Sequence, residues 1–271
     1  MNYAICVENL RKSYTNGHEV LKGISFKVNQ GEIFTLLGLN GAGKTTTLEC
    51  VEGLRKYDSG TVQVNGKVGI QLQASSLPEH MKAMEAVKLF AKWNKVPLDK
   101  EMLRVFGIDE LKNKQYSQMS TGQKRRLHLV LALIRNPEIV FLDEPTAGLD
   151  VEARIFLHEE IRKMKAQGKT IIMSSHDMSE VESLCDKITI LRNGQIAFYG
   201  TTEELKNTFG HQCVIEIKTD KGTDSLETDD IGDTLQKKLK EYNHQGIKVL
   251  DVNVNKGTLE ELFVHISRGE Q

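Results

Sequence analysis

The sequence predicts an α/β fold in which helices cover both faces of a mainly parallel sheet. Three apolar runs of strand length, at residues 33–37, 138–142 and 169–174, lack the regular alternation of a half-exposed strand. Such runs are typical of strands that are buried on both faces. Helical patterns separate them, and strands that alternate with helices favour a parallel sheet. A glycine-rich loop follows the first run directly and leads into a predicted helix from Lys44 to about Leu54.

Composition narrows the class of protein. The chain has 271 residues, which suits one large domain with a small appendage. Hydrophobic residues make up 39% and charged residues 27%, enough apolar content to exclude disorder over the whole chain. The formal net charge is −1, so we expect no nucleic-acid partner. The longest apolar stretch, residues 127–134, is far shorter than the roughly 20 residues of a membrane span, and four scattered cysteines favour a reducing compartment.

The rest of the first 210 residues is expected to add strands and a helical insert. Apolar residues at helical spacing in residues 79–93, and a further helix at 123–134, predict a helical insert at about residues 74–135. Asn193-Gly194 is typical of a hairpin turn. The further strands are expected at residues 4–10, 23–28, 60–67, 188–191 and 195–199.

The pattern changes after residue 210. Alternating apolar and polar residues at 213–218 predict a half-buried strand, and the polar, glycine-containing residues 221–230 predict a loop. A helix at 231–242, a strand at 249–254 and a last helix at 258–266 complete the pattern. We therefore expect a first domain at residues 1–210 and a small C-terminal accessory domain at residues 211–271.

The glycine-rich loop predicts a nucleotide site. Residues 38–45, GLNGAGKT, match G-x-x-x-x-G-K-[ST] between a buried strand and a helix. Glycines let backbone N–H groups turn towards phosphate oxygens, and the helix N-terminus adds partial positive charge. Lys44 is expected to reach the β- and γ-phosphates, and the Thr45 hydroxyl to bind Mg²⁺. The residues expected to contact the nucleotide here are Gly38, Asn40, Gly41, Ala42, Gly43, Lys44, Thr45 and Thr46.

The sequence lacks the motif that recognises guanine. A GTPase would carry Asn-Lys-x-Asp, and the nearest string, at residues 94–97, has Pro97 in place of the aspartate. Guanine specificity is therefore unsupported. Small kinases also carry this phosphate loop, so the downstream elements decide the reaction.

Two carboxylates end the second predicted buried strand. Asp143 stands at the strand tip, where it is placed to help hold Mg²⁺. Glu144 points differently because successive side chains of a strand alternate. It is therefore the candidate general base that accepts a proton from the attacking water. The simpler interpretation is that residues 143–146, Asp-Glu-Pro-Thr, only end a strand at a turn.

The motifs in this order resemble those of the ATP-binding cassette (ABC) ATPases. Residues 119–126, MSTGQKRR, are similar to the L-S-G-G-Q signature of that family and stand upstream of Asp143, as the signature does there. The resemblance covers about residues 1–210 and implies that ATP and Mg²⁺ are the cofactors. It implies adenine stacking by Tyr14, a D-loop aspartate at Asp150 and a switch histidine at His176. It also implies a hinge glutamine at Gln73, which is both a metal ligand and a member of the catalytic group. The other members of the catalytic group are Glu144, His176 and Lys44.

The fold that this resemblance implies is α/β, with a P-loop NTPase core, an antiparallel β subdomain and a helical insert, plus a small C-terminal α/β appendage. Gln71 is an alternative alignment for the hinge glutamine. Met119 replaces the leucine of the signature, and Thr121 replaces its first glycine. Thr121 adds a side chain where close backbone approach is expected, which would weaken closure. Residues 258–265 resemble the tail of cassettes from drug, antibiotic and polymer exporters.

The same resemblance implies a head-to-tail dimer, as a homodimer or a heterodimer, with two ATP molecules in its interface. Ser120, Gly122 and Gln123 of one subunit then bind the nucleotide on the phosphate loop of the other. Hydrolysis shifts the population back to the open state. We therefore expect the ATP-hydrolysing, energy-coupling subunit of a membrane transporter of the exporter type. It is expected to act from the cytoplasmic face of the cell membrane through a separate permease subunit.

Two other functions compete with this hypothesis. The first is a soluble ABC-type ATPase in translation or DNA repair, although such proteins usually carry two cassettes or a long coiled-coil insert. The second is a nucleotide-gated scaffold without catalysis, and the presence of Lys44, Asp143, Glu144 and His176 together argues against it.

Several residues have plainer interpretations. Tyr14 is also typical of a half-buried packing residue, and His176 of a core histidine. The basic residues 124–126 are more typical of a solvated helix face than of a nucleic-acid site. Met81, Met84 and Phe90 fit either a groove for a partner helix or core packing.

Overall fold

The computed structural model describes residues 3–14, 17–71, 76–209, 213–228, 230–256 and 259–268. It divides the chain into two compact units, Met1–Tyr199 and Gly200–Gln271. The sequence predicts the boundary later, after residue 210. The difference is the helix Thr202–Phe209, which contacts the last helix of the chain, Leu259–Arg268. The assignment of separate roles to the two parts stays a prediction.

Two sheets organise the first unit. An antiparallel sheet and a larger, mainly parallel sheet pack against each other, with helices around them. The strands are β1 (Tyr3–Ser13), β2 (Glu19–Asn29), β3 (Ile33–Leu37), β4 (Ser59–Val64), β5 (Val68–Gln71), β6 (Ile139–Asp143), β7 (Thr170–Ser175), β8 (Lys187–Arg192) and β9 (Gln195–Gly200).

The six-stranded sheet has the order β5-β6-β7-β3-β8-β9 among the described residues, and the four pairings from β5 to β8 are parallel. Every residue of β3, β6 and β7 is buried, which explains their continuous apolar sequences. Asp143 pairs with Ser174, and Leu37 pairs with Ser175. The carboxyl ends of the three strands therefore lie side by side at one edge. The predicted parallel sheet is confirmed.

The antiparallel sheet has the order β2-β1-β4. Its two long strands each span 11 residues and extend beyond the predicted segments, because their backbone pairing continues from Tyr3 and Asn29 to Ser13 and Glu19. The register of β1 shifts between Val7 and Leu10, where Asn9 adopts a φ of 49°. A bulge of this kind increases strand twist. The antiparallel β subdomain is confirmed.

The helices of the first unit cover both faces of the parallel sheet. Val140 and Leu142 face a core shared with α2, α5 and α6, whereas Ile139 and Phe141 face a core shared with the antiparallel sheet and α1. The sheet is thus covered on both sides, as predicted. These helices are α1 (Lys44–Val51), α2 (Ala83–Asn94), α3 (Lys100–Val105), α4 (Ile108–Leu111), α5 (Thr121–Leu133), α6 (Val151–Ala166) and α7 (Met178–Leu184).

The helical insert differs from its predicted boundaries at two points. Helix α2 begins at Ala83, because the carbonyl groups of Glu79 and Met81 accept hydrogen bonds from the backbone of residues 116–117 instead of continuing a helix. Helix α5 begins at Thr121, two residues before the predicted start. Met81, Met84 and Phe90 are partly buried against the core, which favours core packing for them.

The second unit contains α8 (Thr202–Phe209), β10 (Cys213–Thr219), β11 (Gly222–Thr228), α9 (Ile231–Gln245), β12 (Val249–Lys256) and α10 (Leu259–Arg268). Strand β10 lies between β11 and β12 in an antiparallel sheet, over a small core of Ile215, Ile217 and Tyr242. The predicted loop at residues 221–230 is wrong, because β11 occupies most of it. Strand β11 lies at the edge of the sheet and pairs with β10 through its backbone. Leu226 is the residue that it adds to the apolar core, so its sequence does not alternate between apolar and polar residues.

Glu52 follows α1 and holds a carboxyl group inside the first unit. Both of its carboxyl oxygens are buried, and neither has a hydrogen-bond partner among the residues that the structure describes. Burial, together with the negative charges of Asp143 and Glu49, raises the pKa of Glu52 to about 7. The neutral form is therefore favoured in the folded state, and ionisation opposes folding.

We predict that Glu52→Gln stabilises the protein at pH 8 and changes little at pH 4. The wild-type folded state keeps its proton up to about pH 7, whereas the unfolded chain loses it near pH 4.5. Wild-type stability is therefore lost as the pH rises between these values. The expected gain in unfolding free energy at pH 8 is on the order of 2 kcal/mol, measured by urea denaturation. An equal effect at both pH values would contradict this interpretation.

Candidate functional site

The phosphate loop connects β3 to α1. Its backbone adopts positive φ angles at positions that are occupied by glycine. Gly38, Gly41 and Gly43 adopt φ angles of 155°, 82° and 108°. A Cβ atom on Gly38 would lie 2.6 Å from the carbonyl oxygen of Leu191, and one on Gly43 would lie 2.8 Å from Leu21 Cδ2. Larger residues would therefore push the loop away from β8 and β2. The glycines set the course of the backbone around the expected phosphates.

Lys44 is the first residue of α1 and is only 6% exposed. Its Nζ donates to the carbonyl oxygen of Gly38 at 2.6 Å and to that of Leu39 at 3.4 Å. Burial lowers the pKa of Lys44, while the negative charges of Glu144 and Asp143 oppose that shift. A buried cation beside a helix N-terminus can bind the terminal phosphates of a nucleotide.

Asp143 ends β6 and is 4% exposed. Ser174 Oγ donates to Asp143 Oδ1 at 2.5 Å, and the Thr45 hydroxyl also donates to this carboxylate. Burial raises the pKa of Asp143, and the charge of Glu144 adds to the rise, whereas these two hydrogen bonds and Lys44 lower it. A carboxylate next to a hydroxyl is a hard oxygen pair of the kind that Mg²⁺ accepts, so Thr45 and Asp143 fit this ion.

Glu144 begins the turn after β6. Its φ is 45°, in the left-handed region that residues other than glycine rarely adopt and that is often found at functional sites. Its N–H donates to Ser174 Oγ at 2.9 Å. Glu144 Oε1 lies 3.6 Å from His176 Nδ1, and the side chains are 15% and 63% exposed, respectively. The carboxylate and the imidazole are therefore neighbours at the same sheet edge.

A small cleft opens beside this pair. Its volume is about 120 Å³, and Glu144, Gly148 and His176 are among the residues that line it. A water molecule takes up about 30 Å³ in the liquid, so the cleft has room for water next to the Glu144 carboxylate. A larger cavity of about 610 Å³ lies between α3 and α6, where Phe106 and Met164 line it, and none of the candidate site residues lines it.

Tyr14 lies next to the helix that follows the phosphate loop. Its hydroxyl is 3.3 Å from Thr46 Oγ1, and the residue is 38% exposed. The guanidinium of Arg55 lies 5.2 Å from the ring centroid, and Glu49 holds that guanidinium in an ion pair. One face of the ring thus contacts a cation. Sequence reasoning missed Arg55, since no motif links it to Tyr14, and stacking of adenine on this ring stays a prediction.

The signature segment forms the N-terminus of α5. The Gln123 N–H donates to Ser120 Oγ at 3.3 Å, and the Ser120 N–H donates to Gln123 Oε1 at 3.1 Å. A Cβ atom on Gly122 would lie 3.2 Å from Ala153 Cβ in α6. Among the described residues, no hydrogen bond or ion pair joins Ser120, Gly122 or Gln123 to the phosphate loop. The structure therefore does not bring these residues to the phosphate loop of their own chain.

Asp150 caps the N-terminus of α6. Its Oδ1 accepts a hydrogen bond from the Ala153 N–H at 2.8 Å, and the residue is exposed. One turn further along α6, Arg154 forms an ion pair of 3.2 Å with Asp177, which follows His176. The segment after Glu144 and the segment after β7 are therefore in contact.

The hinge glutamine predicted at Gln73 lies outside the described residues. The alternative, Gln71, ends β5 beside Leu142 and is 2% exposed. Neither polar atom of its side chain has a hydrogen-bond partner within the described part of the chain. This placement is inside the sheet, one pair before the strand end at Asp143.

Sequence reasoning also missed the hydroxyl groups around the carboxylates. Ser174 contacts both Asp143 and Glu144, and Ser175 donates to the buried carboxylate of Glu180. The available signal was the Ser-Ser pair that follows a buried apolar run. Its meaning depends on strand order, because only the adjacency of β6 and β7 brings these hydroxyls to the carboxylates.

Comparison with known proteins adds independent findings. The family model described as "ABC transporter" matches residues 21–147. An ABC transporter ATP-binding protein of Methanocaldococcus jannaschii is 39% identical over 76% of this chain and 80% of its own length. A linearmycin resistance ATP-binding protein of Bacillus subtilis is 34% identical over 78% of this chain and 73% of its own.

Two relatives differ in how much of the chain they share. A daunorubicin resistance ATP-binding protein of Streptomyces coeruleorubidus is 27% identical over 97% of this chain and 96% of its own length. A spermidine/putrescine import ATP-binding protein of Mycoplasma mycoides is 35% identical over 76% of this chain and 64% of its own.

A solved structure supports the fold directly. The ATP-binding subunit of an ABC transporter superposes with a TM-score of 0.69 at 29% identity, covering 76% of this chain and 93% of the other. This similarity confirms the P-loop NTPase fold that the sequence predicts. With its relatives and its phosphate loop taken together, the chain belongs to the ABC transporter family, as an ATP-binding subunit and an ATPase.

Proposed function

We propose that this chain is the energy-coupling subunit of an ABC exporter, which hydrolyses ATP and drives a separate permease subunit. One observation carries the proposal: Lys44, Asp143, Glu144 and His176 converge at a single edge of the parallel sheet, with Glu144 Oε1 3.6 Å from His176 Nδ1. These are the types of group that ATP hydrolysis needs, namely a cation for phosphate, a metal ligand, a base and a second polar group beside the base.

Each group has a role in the proposed reaction. Lys44 binds the β- and γ-phosphates. Glu144 accepts the proton of the attacking water, and His176 contacts the γ-phosphate beside it. Thr45 and Asp143 hold Mg²⁺ together with Gln73. When bound, Mg²⁺ neutralises charge that develops on the phosphate oxygens.

A head-to-tail dimer completes the proposed site. Ser120 Oγ accepts the Gln123 N–H, so its own hydrogen is available to a γ-phosphate across an interface. The N-terminus of α5 adds partial positive charge at the same place. Gln123 holds Ser120 through its side chain, and Asp150 at the start of α6 is exposed for contact with a second subunit. ADP lacks the phosphate that these groups would bind, so hydrolysis reopens the dimer.

The proposed partner of the dimer is a permease. Among the described residues, no helix combines the length and the apolar character needed to cross a membrane. The permease partner is supported instead by relatives that are ATP-binding proteins of ABC transporters. We place the chain at the cytoplasmic face of the membrane, held there through the permease, as a homodimer or a heterodimer with a second cassette.

Export is the proposed direction of transport because a drug-resistance relative matches nearly the full length of this chain. The daunorubicin resistance protein covers 97% of this chain, which includes most of the second unit. The import protein covers 76% of this chain and 64% of its own length. This one drug-resistance relative extends the similarity into the second unit, whereas the linearmycin resistance relative covers 78% of the chain, and the long match supports export as the proposed direction.

We predict that Glu144→Gln keeps ATP affinity and lowers the hydrolysis rate by about 10²–10⁴-fold, the usual contribution of a general base. The amide keeps the size and polarity of the side chain but cannot take the proton. Phosphate release and calorimetry measure the two effects. Lys44→Ala is the contrasting variant, since it should lose ATP affinity itself. Hydrolysis at the wild-type rate in Glu144→Gln would show that another group is the base.

We also predict that the chain is found on membranes only together with its permease. An adjacent reading frame with several apolar spans would identify the candidate, and co-expression with that frame should move the chain from the supernatant to the membrane fraction. A frame that lacks apolar spans serves as the control. Equal distribution with and without the permease, alongside active ATP hydrolysis, would favour a non-transport cassette in translation or DNA repair.

A further inference from the structure

A buried carboxylate stands behind the candidate catalytic pair. Glu180 in the first turn of α7 is 1% exposed. It accepts a hydrogen bond from Ser175 Oγ at 2.5 Å and one from Thr146 Oγ1 at 3.3 Å. His158 Nε2 in α6 lies 3.3 Å from its other oxygen. Three side chains from three different segments therefore converge on one buried group.

The segments that meet at Glu180 are those that present Glu144 and His176. Thr146 lies two residues after Glu144, in the turn that leads to α6. Ser175 directly precedes His176, and its oxygen accepts the N–H of Asp177, which directly follows His176. The Ser175 hydroxyl is thus bound to the residue that follows His176, and its hydrogen is donated to Glu180. The Glu180 carboxylate therefore contacts both the turn that follows Glu144 and the turn that contains His176.

The fold alone does not require a carboxylate here. The N-terminus of α7 is already capped by Asp177, whose Oδ1 accepts the N–H groups of Ser179 and Glu180. Removal of a charge from water is costly, and buried ion pairs are often replaceable by apolar groups without loss of stability. The hydrogen bonds to Glu180 instead constrain where the two turns lie relative to each other.

We propose that Glu180 is a positioning residue for ATP hydrolysis, which acts by holding the His176 turn against the Glu144 turn. This inference rests on the proposed function, because it requires Glu144 and His176 to act together on one phosphate and one water. Glu180 touches neither nucleotide nor metal in this role. Its removal lets the imidazole move relative to the base, and a displacement of about 1 Å in such a site can cost about 10²-fold in rate.

The test is a double-mutant cycle between Glu180 and His176. Glu180→Ala should lower kcat for ATP hydrolysis about 10- to 100-fold, with KM for ATP within about 3-fold of wild type. In a His176→Ala background the same change should lower kcat less than about 2-fold, because the group that it positions is already gone. An equal loss of kcat in both backgrounds, or no loss in wild type, would overturn the proposal.

Two further variants separate positioning from stability. Glu160→Ala removes another buried carboxylate, 6% exposed and paired with Lys163 at 2.6 Å, and should lower the melting temperature without changing kcat. Glu180→Gln keeps an acceptor for Ser175 and should recover most of the lost kcat. If Glu180→Ala does not fold, Ser175→Ala replaces it in the same cycle with the same expected non-additivity. Failure of the proposed function would appear instead as normal hydrolysis by Glu144→Gln.

Discussion

The arrangement of this protein depends on three adjacent parallel strands that are buried on both faces. Because β6, β7 and β3 are neighbours in the sheet and run in the same direction, their carboxyl ends meet at one edge. The phosphate loop, the carboxylates Asp143 and Glu144, and His176 each follow one of these strands. Residues from distant parts of the sequence are thereby brought together, while alternate side chains of the strands pack into the two cores that hold the edge rigid.

Burial sets the electrostatics at that edge. It lowers the pKa of Lys44 and raises the pKa of Asp143, and each of the two charges opposes the shift of the other. In a low dielectric such an interaction is strong, so the cation and the carboxylate stabilise each other's charged form. The hydroxyl groups of Thr45 and Ser174 add hydrogen bonds to Asp143. A triphosphate with Mg²⁺ would carry charge of both signs into the same place, which fits a site of paired charges.

Sequence reasoning reached the central sheet and most of the site, because both are encoded in local patterns. Apolar runs without alternation predicted β3, β6 and β7, and the loop motif predicted Lys44 and Thr45. It failed where contacts between distant segments determine the local structure. Strand β11 pairs with β10 through its backbone and, among the described residues, adds only Leu226 to the small apolar core, so its largely polar sequence suggested a loop. The hydrogen bonds of Ser174 and Glu180 depend on strand order and on the packing of α6 against α7, which no local motif records.

In the proposed mechanism, two copies of the cassette close on ATP and separate after it is cleaved. The most direct test is the molar mass of Glu144→Gln in solution, measured by sedimentation in Mg²⁺ with ATP and, in parallel, with ADP. We expect the mass of a dimer with ATP and that of a monomer with ADP. A monomer with both nucleotides, in the presence of the permease as well as in its absence, would contradict this mechanism.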